Sequence, residues 1–376
     1  MQRIWSMLIA TVVAICIISP STSEAAKFKD VGNTHSLQIE IEYLVEKKII
    51  KGYSNGTFKP NDPISKKHVA AMVVKAANIS TTNVKDPGYK DVTKKHPYYK
   101  EIAAAYTAGI FSKTSKFNPD AKITRGAMAQ ILTKAFKLTG RGEPVRFSDV
   151  KKTHTYYSAI QAIATNNISK GTLDKNINLK FEPSKTLTRG HFSAFLARAM
   201  TLKKGNYFPK TNYNYYFKYS NGFNTVERNS YDPEYYIENY WLEYDLNSNE
   251  DPSASVYGLN GNTWFNGIPY SEAGIFIDYP FSIGVKYNYL SNPNAPRGKQ
   301  MIQNTSATVT VQGNRYENVV IVEEHFYNYY DTKPKELSFY RVYIAPDYGI
   351  IKSETGVVGK KATWWRDLVK RELSGK

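Results

Sequence analysis

Apolar residues recur along the first half of the chain at helical spacing. Leu37, Ile41, Leu44 and Val45 fall at i, i+4, i+7 and i+8, and Tyr98, Ile102, Ala105 and Tyr106 repeat the stripe, as do Tyr156, Ile160, Ile163 and Ala164. Each stripe predicts one face of an amphipathic helix. A second stripe follows each time: Val69, Met72, Val73 and Ala76, then Met128, Ile131, Leu132 and Ala135, then Phe192, Phe195, Leu196 and Ala199. The pattern therefore predicts helix, loop, helix, three times over. After Leu202 the helical period disappears and Tyr, Asn and Gly become frequent. Thr308–Val311 and Tyr316–Val322 around a Gly313-Asn314 turn predict a hairpin, and residues 339–344 and 349–352 predict further strands. A final short helix is expected at 364–368, and Lys203, Lys204 and Gly205 read as the linker between the halves.

The three helical segments are copies with a period of about 60 residues. Phe28-x-Asp30-Val31, Tyr89-x-Asp91-Val92 and Phe147-x-Asp149-Val150 open them, and His35, His96 and His154 follow five residues after each Asp. The second helix of each copy is announced by Phe58-x-Pro60, Phe117-x-Pro119 or Phe181-x-Pro183. Then come an apolar residue, a hydroxyl and a cation: Ile64-Ser65-Lys66, Ile123-Thr124-Arg125 and Leu187-Thr188-Arg189. A hydroxyl before an apolar-periodic run is a helix N-cap. A cation immediately after it opposes the helix dipole, so some other demand places positive charge there. Repeats of this size cannot bury their apolar faces alone and are expected to share one core.

Composition narrows the partners. The chain has 376 residues, with 50 Lys and Arg against 33 Asp and Glu, an excess that suits an anionic partner. Arg3, the apolar run Met7–Ile18 and the small residues Ser23 and Ala25 read as a secretory signal peptide over residues 1–25. Export argues against nucleic acid as the partner, and the run is short for a membrane span, so no membrane attachment is expected after cleavage. Cys16 is the only cysteine and lies within that run, leaving the mature chain without disulfide or thiol chemistry. The units are bounded at 27–80, 88–138 and 146–202, with a further domain over 205–376.

The order F-x-D-V, helix, F-x-P and I-T-R, three times over, resembles the S-layer homology (SLH) domain of exported bacterial proteins. The resemblance covers residues 27 to about 202. It implies a multidomain chain: an all-α helix-loop-helix SLH pseudo-trimer with grooves between units, followed here by a mainly antiparallel β (α+β) domain. It also implies non-covalent attachment to an anionic secondary cell-wall polysaccharide bearing a pyruvate ketal, at the cell surface of a Gram-positive bacterium. Arginine offers planar donors that fit a carboxylate, and a helix N-terminus adds N–H groups and positive potential. Arg125 and Arg189, beside the caps Thr124 and Thr188, combine both. Lys66 lacks the planar fork, so the first copy's groove is expected to be weaker. Asp30, Asp91 and Asp149 either accept bonds from sugar hydroxyls or serve at helix starts. The family's usual Glu four positions along is replaced by His68, Ala127 and His191, so its capping box is absent.

The second half is similar to a β domain of secreted and lipid-anchored Gram-positive proteins, through V-x-G-x-x-Y-x-N-V-V-x-V over 311–322 and Tyr279-Pro280-Phe281 with Gly284 and Tyr287. Its ligand stays open. The single histidine of this half, His325, beside Glu323 and Glu324, would have to serve any Ser-His-Asp triad; on a strand it reads as a cross-strand residue. Asp245 begins a segment like a calcium loop, but Glu250 stands where glycine is required. Tyr and Trp are expected to fill the sheet core rather than line a sugar-stacking face. No catalytic set, cofactor or metal is expected. The reading is a surface-anchored display protein, with an SLH-tethered cell-wall-active enzyme as the alternative.

Overall fold

A computed structural model describes residues 28–374 apart from 33–34, 233–236, 249, 261–262, 268–273, 289–297 and 328–335. The signal segment and Cys16 lie outside the described residues. Six helices form as the stripes predict: α1 (Gln38–Glu46), α2 (Lys66–Ala76), α3 (Tyr99–Thr107), α4 (Arg125–Ala135), α5 (Tyr157–Ala164) and α6 (Arg189–Met200). Leu37, Tyr98 and Tyr156, the first residues of the first-helix stripes, are N-cap positions. Their backbone N–H groups donate to Nδ1 of His35, His96 and His154, each at 3.1 Å. These repeated histidines therefore start helices.

The units close on one another in a ring. Helix α2 packs on α3, α4 on α5, and α6 returns to α1. At the centre, Ile64 N–H donates to the Leu187 carbonyl, Leu187 N–H to that of Ile123, and Ile123 N–H to that of Ile64, at 3.1, 2.8 and 3.2 Å. The apolar residue before each cap is thus the residue that joins three chain segments. Phe58, Phe117 and Phe181 are fully buried in the shared core, each contributing about 1.5–3 kcal/mol by burial. The Asp of each opening motif holds its own unit's Phe-x-Pro loop. Asp30 accepts from the N–H groups of Phe58 and Lys59, Asp91 from Phe117 and Asn118, and Asp149 from Phe181 and Glu182, all at 2.7–2.8 Å. One departure from an all-α half is the third loop, which folds as a hairpin of β1 (Thr172–Leu173) and β2 (Leu179–Lys180).

The C-terminal half is one antiparallel sheet. Its strands are β3 (Tyr213–Tyr219), β4 (Asn224–Asp232), β5 (Ile237–Asp245), β6 (Ser253–Asn260), β7 (Thr263–Gly267), β8 (Gly274–Asp278), β9 (Gly284–Asn288), β10 (Gly298–Val311), β11 (Asn314–Tyr327), β12 (Glu336–Ala345), β13 (Gly349–Val357) and β14 (Thr363–Leu373). Two meanders, β3 to β8 and β9 to β14, join side by side through β3 and β14, leaving β8 and β9 as the edges. The predicted hairpin is β10–β11 and turns at Gln312-Gly313. The predicted helix at 364–368 is instead part of β14, paired with β13 and β3. Arg366 lies on the inner face beside Leu368, so a buried cation interrupts the apolar alternation that would have marked a strand.

Edge-to-face rings fill the core: Tyr215–Trp241, Trp241–Tyr257, Tyr257–Trp264 and Trp264–Phe281, with centroids 5.5–6.4 Å apart. Beside them Arg366 pairs with the buried Glu227, lies 3.6 Å from Glu243 and sits over the Phe217 ring. Burial raises the Glu227 carboxyl above its ordinary range, and the guanidinium opposes that rise.

The expected linker is a fastened junction. Lys203 and Phe281 exchange two backbone bonds, of 2.7 and 3.0 Å, and Gly205 N–H donates to the Tyr279 hydroxyl. Thr305 Oγ1 donates to the Thr201 carbonyl at 2.6 Å, Ile283 N–H donates to Thr201 Oγ1, and Ile283 itself is buried in the helical core. The Tyr279-Pro280-Phe281 element singled out in the sequence is thus the clasp between the halves.

Two consequences are testable. Arg366→Met leaves Glu227 buried and unpaired and should cost the β domain about 3–5 kcal/mol in denaturant unfolding; a change under about 1 kcal/mol would show the pair to be dispensable. For Asp30 and Asp91, burial acts to raise the carboxyl pKa, but the loop N–H bonds prevail and hold both below the usual 3.8. Their stabilisation is therefore complete above that value and is lost as pH falls through the folded-state values. Thermal melts of the helical half should drop below about pH 4, and Asp91→Asn should cost about 1–2 kcal/mol at neutral pH while flattening that drop.

Candidate functional site

Each second helix begins against the loop of the next unit. Lys66 N–H and Lys67 N–H donate to the carbonyls of Ala121 and Pro119. Arg125 and Gly126 donate in the same way to Lys185 and Pro183, and Arg189 and Gly190 to Asp62 and Pro60. The next donors are capped as predicted in two units, where Thr124 Oγ1 accepts from Ala127 and Thr188 Oγ1 from His191. Ser65 makes no such bond. The helix N-termini therefore do not offer the open N–H groups expected for an anion, because the ring has already used them.

The cations follow the same cyclic rule. Lys66 Nζ donates to the Phe117 carbonyl at 2.9 Å, Arg125 Nε to that of Phe181 at 2.7 Å, and Arg189 Nε to that of Phe58 at 2.9 Å. Each charge also lies 4.3–4.8 Å from the ring centroid of the same phenylalanine, an attraction that strengthens as water is excluded. The arginines add a second bond that lysine cannot make: Arg125 Nη2 to Ser169 Oγ at 3.1 Å, and Arg189 Nη2 to the Lys51 carbonyl. Among the described residues, Nη1 of both arginines has no hydrogen-bond partner, so each keeps one donor free rather than a whole fork. Burial pulls the pKa of all three cations down from their ordinary values, with neighbouring carboxylates opposing.

Two of these corners open into concave sites built from equivalent positions. The Arg189 corner is a groove of about 250 Å³ lined by Lys51, Gly52, Tyr53, His68, Tyr98 and Arg189. Tyr53 is exposed and lies beneath both Arg189 and Lys59. The Arg125 corner substitutes Lys170, Gly171, Thr172, His191 and Leu37 for those residues, and here strands of the C-terminal sheet add to the wall. His68 and His191 escaped the sequence reading as site residues. Their signal was the vacated capping-box position: His68 Nδ1 lies 3.0 Å from Ser65 Oγ, and His191 Nδ1 lies 2.9 Å from Thr188 Oγ1. Burial, followed by neighbouring cations, pulls both imidazoles below their ordinary pKa. Asp30, Asp91 and Asp149 each use both carboxylate oxygens on N–H groups of their own unit's Phe-x-Pro loop, and each is a carboxylate neighbour of the cation bound to that loop.

In the β domain, His325 Nε2 lies 2.5 Å from Glu323, which Arg341 braces at 2.7 Å before reaching Glu354 at 2.9 Å. Burial acts to raise the Glu323 carboxyl, but the His325 and Arg341 contacts hold it below its ordinary value. Lys299 and Phe339 are the cross-strand neighbours of His325, so the histidine is a cross-strand member of an ion ladder. Asp245 accepts from Asn247 N–H in a tight turn.

Residues 27–70, 88–129 and 146–193 match the S-layer homology domain. The chain is 30% identical to the S-layer protein sap of Bacillus anthracis over 48% of its own length and 22% of that protein. It is also 30% identical to the surface-layer 125 kDa protein of Lysinibacillus sphaericus, over 51% and 16%. An uncharacterized cell wall amidase of Bacillus anthracis is 31% identical over 50% of this chain and 34% of its own. The chain thus spans only about a sixth to a third of the length of these relatives, and the matches fall on the helical half. The helical half, with its three repeats and its ring of inter-unit bonds, thus carries three S-layer homology domains, and these relatives support a place at the cell surface.

Proposed function

We propose that the protein is held at the wall by its helical half, through an anionic, pyruvylated secondary cell-wall polysaccharide, and that it displays the β domain. The observation that carries this reading is the Arg189 corner. A cation is locked by a buried carbonyl and a ring, with one Nη still free, beside an exposed tyrosine. A carboxylate on a sugar needs both parts: a fixed charge-assisted donor for the acid and an aromatic face for the ring. Pre-locking the arginine lowers the ordering cost of binding. Three units around one core also suit engagement at more than one groove. Lys66 occupies the same place with its single bond directed inward, which supports a weaker groove there. The ion ladder and aromatic core of the β domain support a structural or ligand-displaying role. Among relatives matched through the same domains are a cell wall amidase and an endoglucanase, so a tethered enzyme is the second reading.

Arg189→Lys separates binding from folding, because Lys66 shows that lysine keeps the inner carbonyl bond. The variant should melt within about 1 kcal/mol of the parent and bind purified cell walls about tenfold more weakly. Parent protein should lose a similar factor on walls treated with mild acid to remove the pyruvate ketal. Equal binding to treated and untreated walls would sink the carboxylate reading. Turnover of purified peptidoglycan by the full chain, abolished by changing one β-domain carboxylate, would favour the enzyme.

A further inference from the structure

The β domain carries a cavity of its own, apart from the repeats. The β3–β4 turn, the β5–β6 turn and the start of β14 enclose about 350 Å³, within the size range of small-molecule sites. The linker enters at the opposite end of β3, where Asn206 is bonded to Asp347 and Tyr207 to the Asn318 carbonyl. A seven-residue strand separates the two ends by about 20 Å. Most aromatic rings of this half fill its core, but Phe223 and Trp365 do not. They are 50% and 40% exposed, and both line the cavity.

The polar lining is one-sided. Glu243, Asp245, Glu250 and Asp251 all line the cavity, and among its described lining residues there is no Lys, Arg or His. The half-buried Glu243 accepts at Oε1 from the Tyr219 hydroxyl at 2.7 Å and from Thr225 Oγ1 at 2.6 Å, while its Oε2 has no hydrogen-bond partner among the described residues. Arg366 lies behind it at 3.6 Å and is already paired with the buried Glu227. Asp245, Glu250 and Asp251 make no ion pair among the described residues. An ionised carboxylate only accepts hydrogen bonds, so this lining suits a ligand that is rich in donors and positively charged. A divalent cation needs carboxylates that converge on one point, and among the described residues no group of three Asp, Glu, His or Cys does so. Two residues along β6 from Ser253, and on the same face, Ser255 Oγ is buried with no hydrogen-bond partner. That hydroxyl is a polar group the protein itself leaves unmet.

We infer that this cavity binds an amino sugar with a free amine. The ammonium lies among the carboxylates, ring hydroxyls donate to Glu243 and Asp245, and the flat face of the sugar lies against Trp365 and Phe223. Negative charge is thus gathered at one place on a chain whose net charge is +17. An acidic sugar is repelled there, so the cavity and the repeat grooves select opposite charges. The inference goes beyond the wall-anchoring reading and stands without it: it gives the displayed domain a ligand of its own.

The test is calorimetric titration of the full chain, in mildly acidic buffer at low salt, with a glucosamine tetramer and with its fully N-acetylated counterpart. The free amines should give binding about tenfold tighter than the neutral tetramer. Glu250→Gln combined with Asp251→Asn, at exposed positions, should weaken that binding about tenfold with no change in melting temperature. Trp365→Ala should weaken it by a similar factor, and Arg189→Lys should leave it unchanged. Tetralysine, blocked at both ends, carries the same four ammonium groups without sugar rings and should bind about tenfold more weakly. Equal binding of tetralysine would overturn the sugar assignment. Equal affinity for the two glucosamine tetramers, or affinity indifferent to residues 250, 251 and 365, would overturn the site itself, whatever the repeats bind.

Discussion

The helical half depends on one contact made three times: a cation at the start of each second helix donates to the carbonyl of a buried phenylalanine in the next unit. Positive charge at a helix N-terminus is unfavourable by itself. The contact offsets this by giving the charge a carbonyl, a ring face and, for the arginines, a second acceptor. It also reads the neighbouring unit, because the carbonyl is available only when the Phe-x-Pro loop is held by its Asp. Each unit's fold is thereby made conditional on the next, and the chain closes through Arg189 and Phe58, 131 residues apart. A repeat unit alone would leave both its apolar face and this cation exposed.

The same contact bears on the recognition role proposed for the arginines. A free arginine loses side-chain entropy when it binds. Here two of its nitrogens are already held and the remaining Nη is left without a bond, so most of that cost is met on folding. Lysine in the equivalent place has a single charged nitrogen, and at Lys66 it already donates to the inner carbonyl. The difference between the units therefore comes mainly from donor count, since the N–H groups of all three cations and of the residues after them are bonded alike.

The repeats, the six helices and the cations were legible because they recur: each feature was checked against two copies at constant spacing. The mistaken expectations share a cause. Open N–H groups at the helix starts seemed available because their acceptors, Pro60, Pro119 and Pro183, lie in a different unit, and sequence order does not display that closure. The role of Asp30, Asp91 and Asp149 was left between ligand and helix start, and the answer was a loop 26–33 residues away. Residues 364–368 looked helical because Arg366, a buried ion partner, took an inward position normally held by an apolar residue.

Lys203–Gly205 looked like a linker because its composition is polar and flexible, yet backbone pairing with Phe281 fixes it. That clasp matters beyond stability. It places Asp278 and Lys286 over a corner of the ring whose counterpart at Arg189 is bare, so two sites built from homologous positions acquire different walls. In the sequence the corners differ by a few substitutions, such as Tyr53 against Thr172 and Tyr98 against Leu37. In the folded chain they also differ by an entire neighbouring domain. Divergence between repeats is therefore set as much by what packs against each copy as by the residues the copy contains.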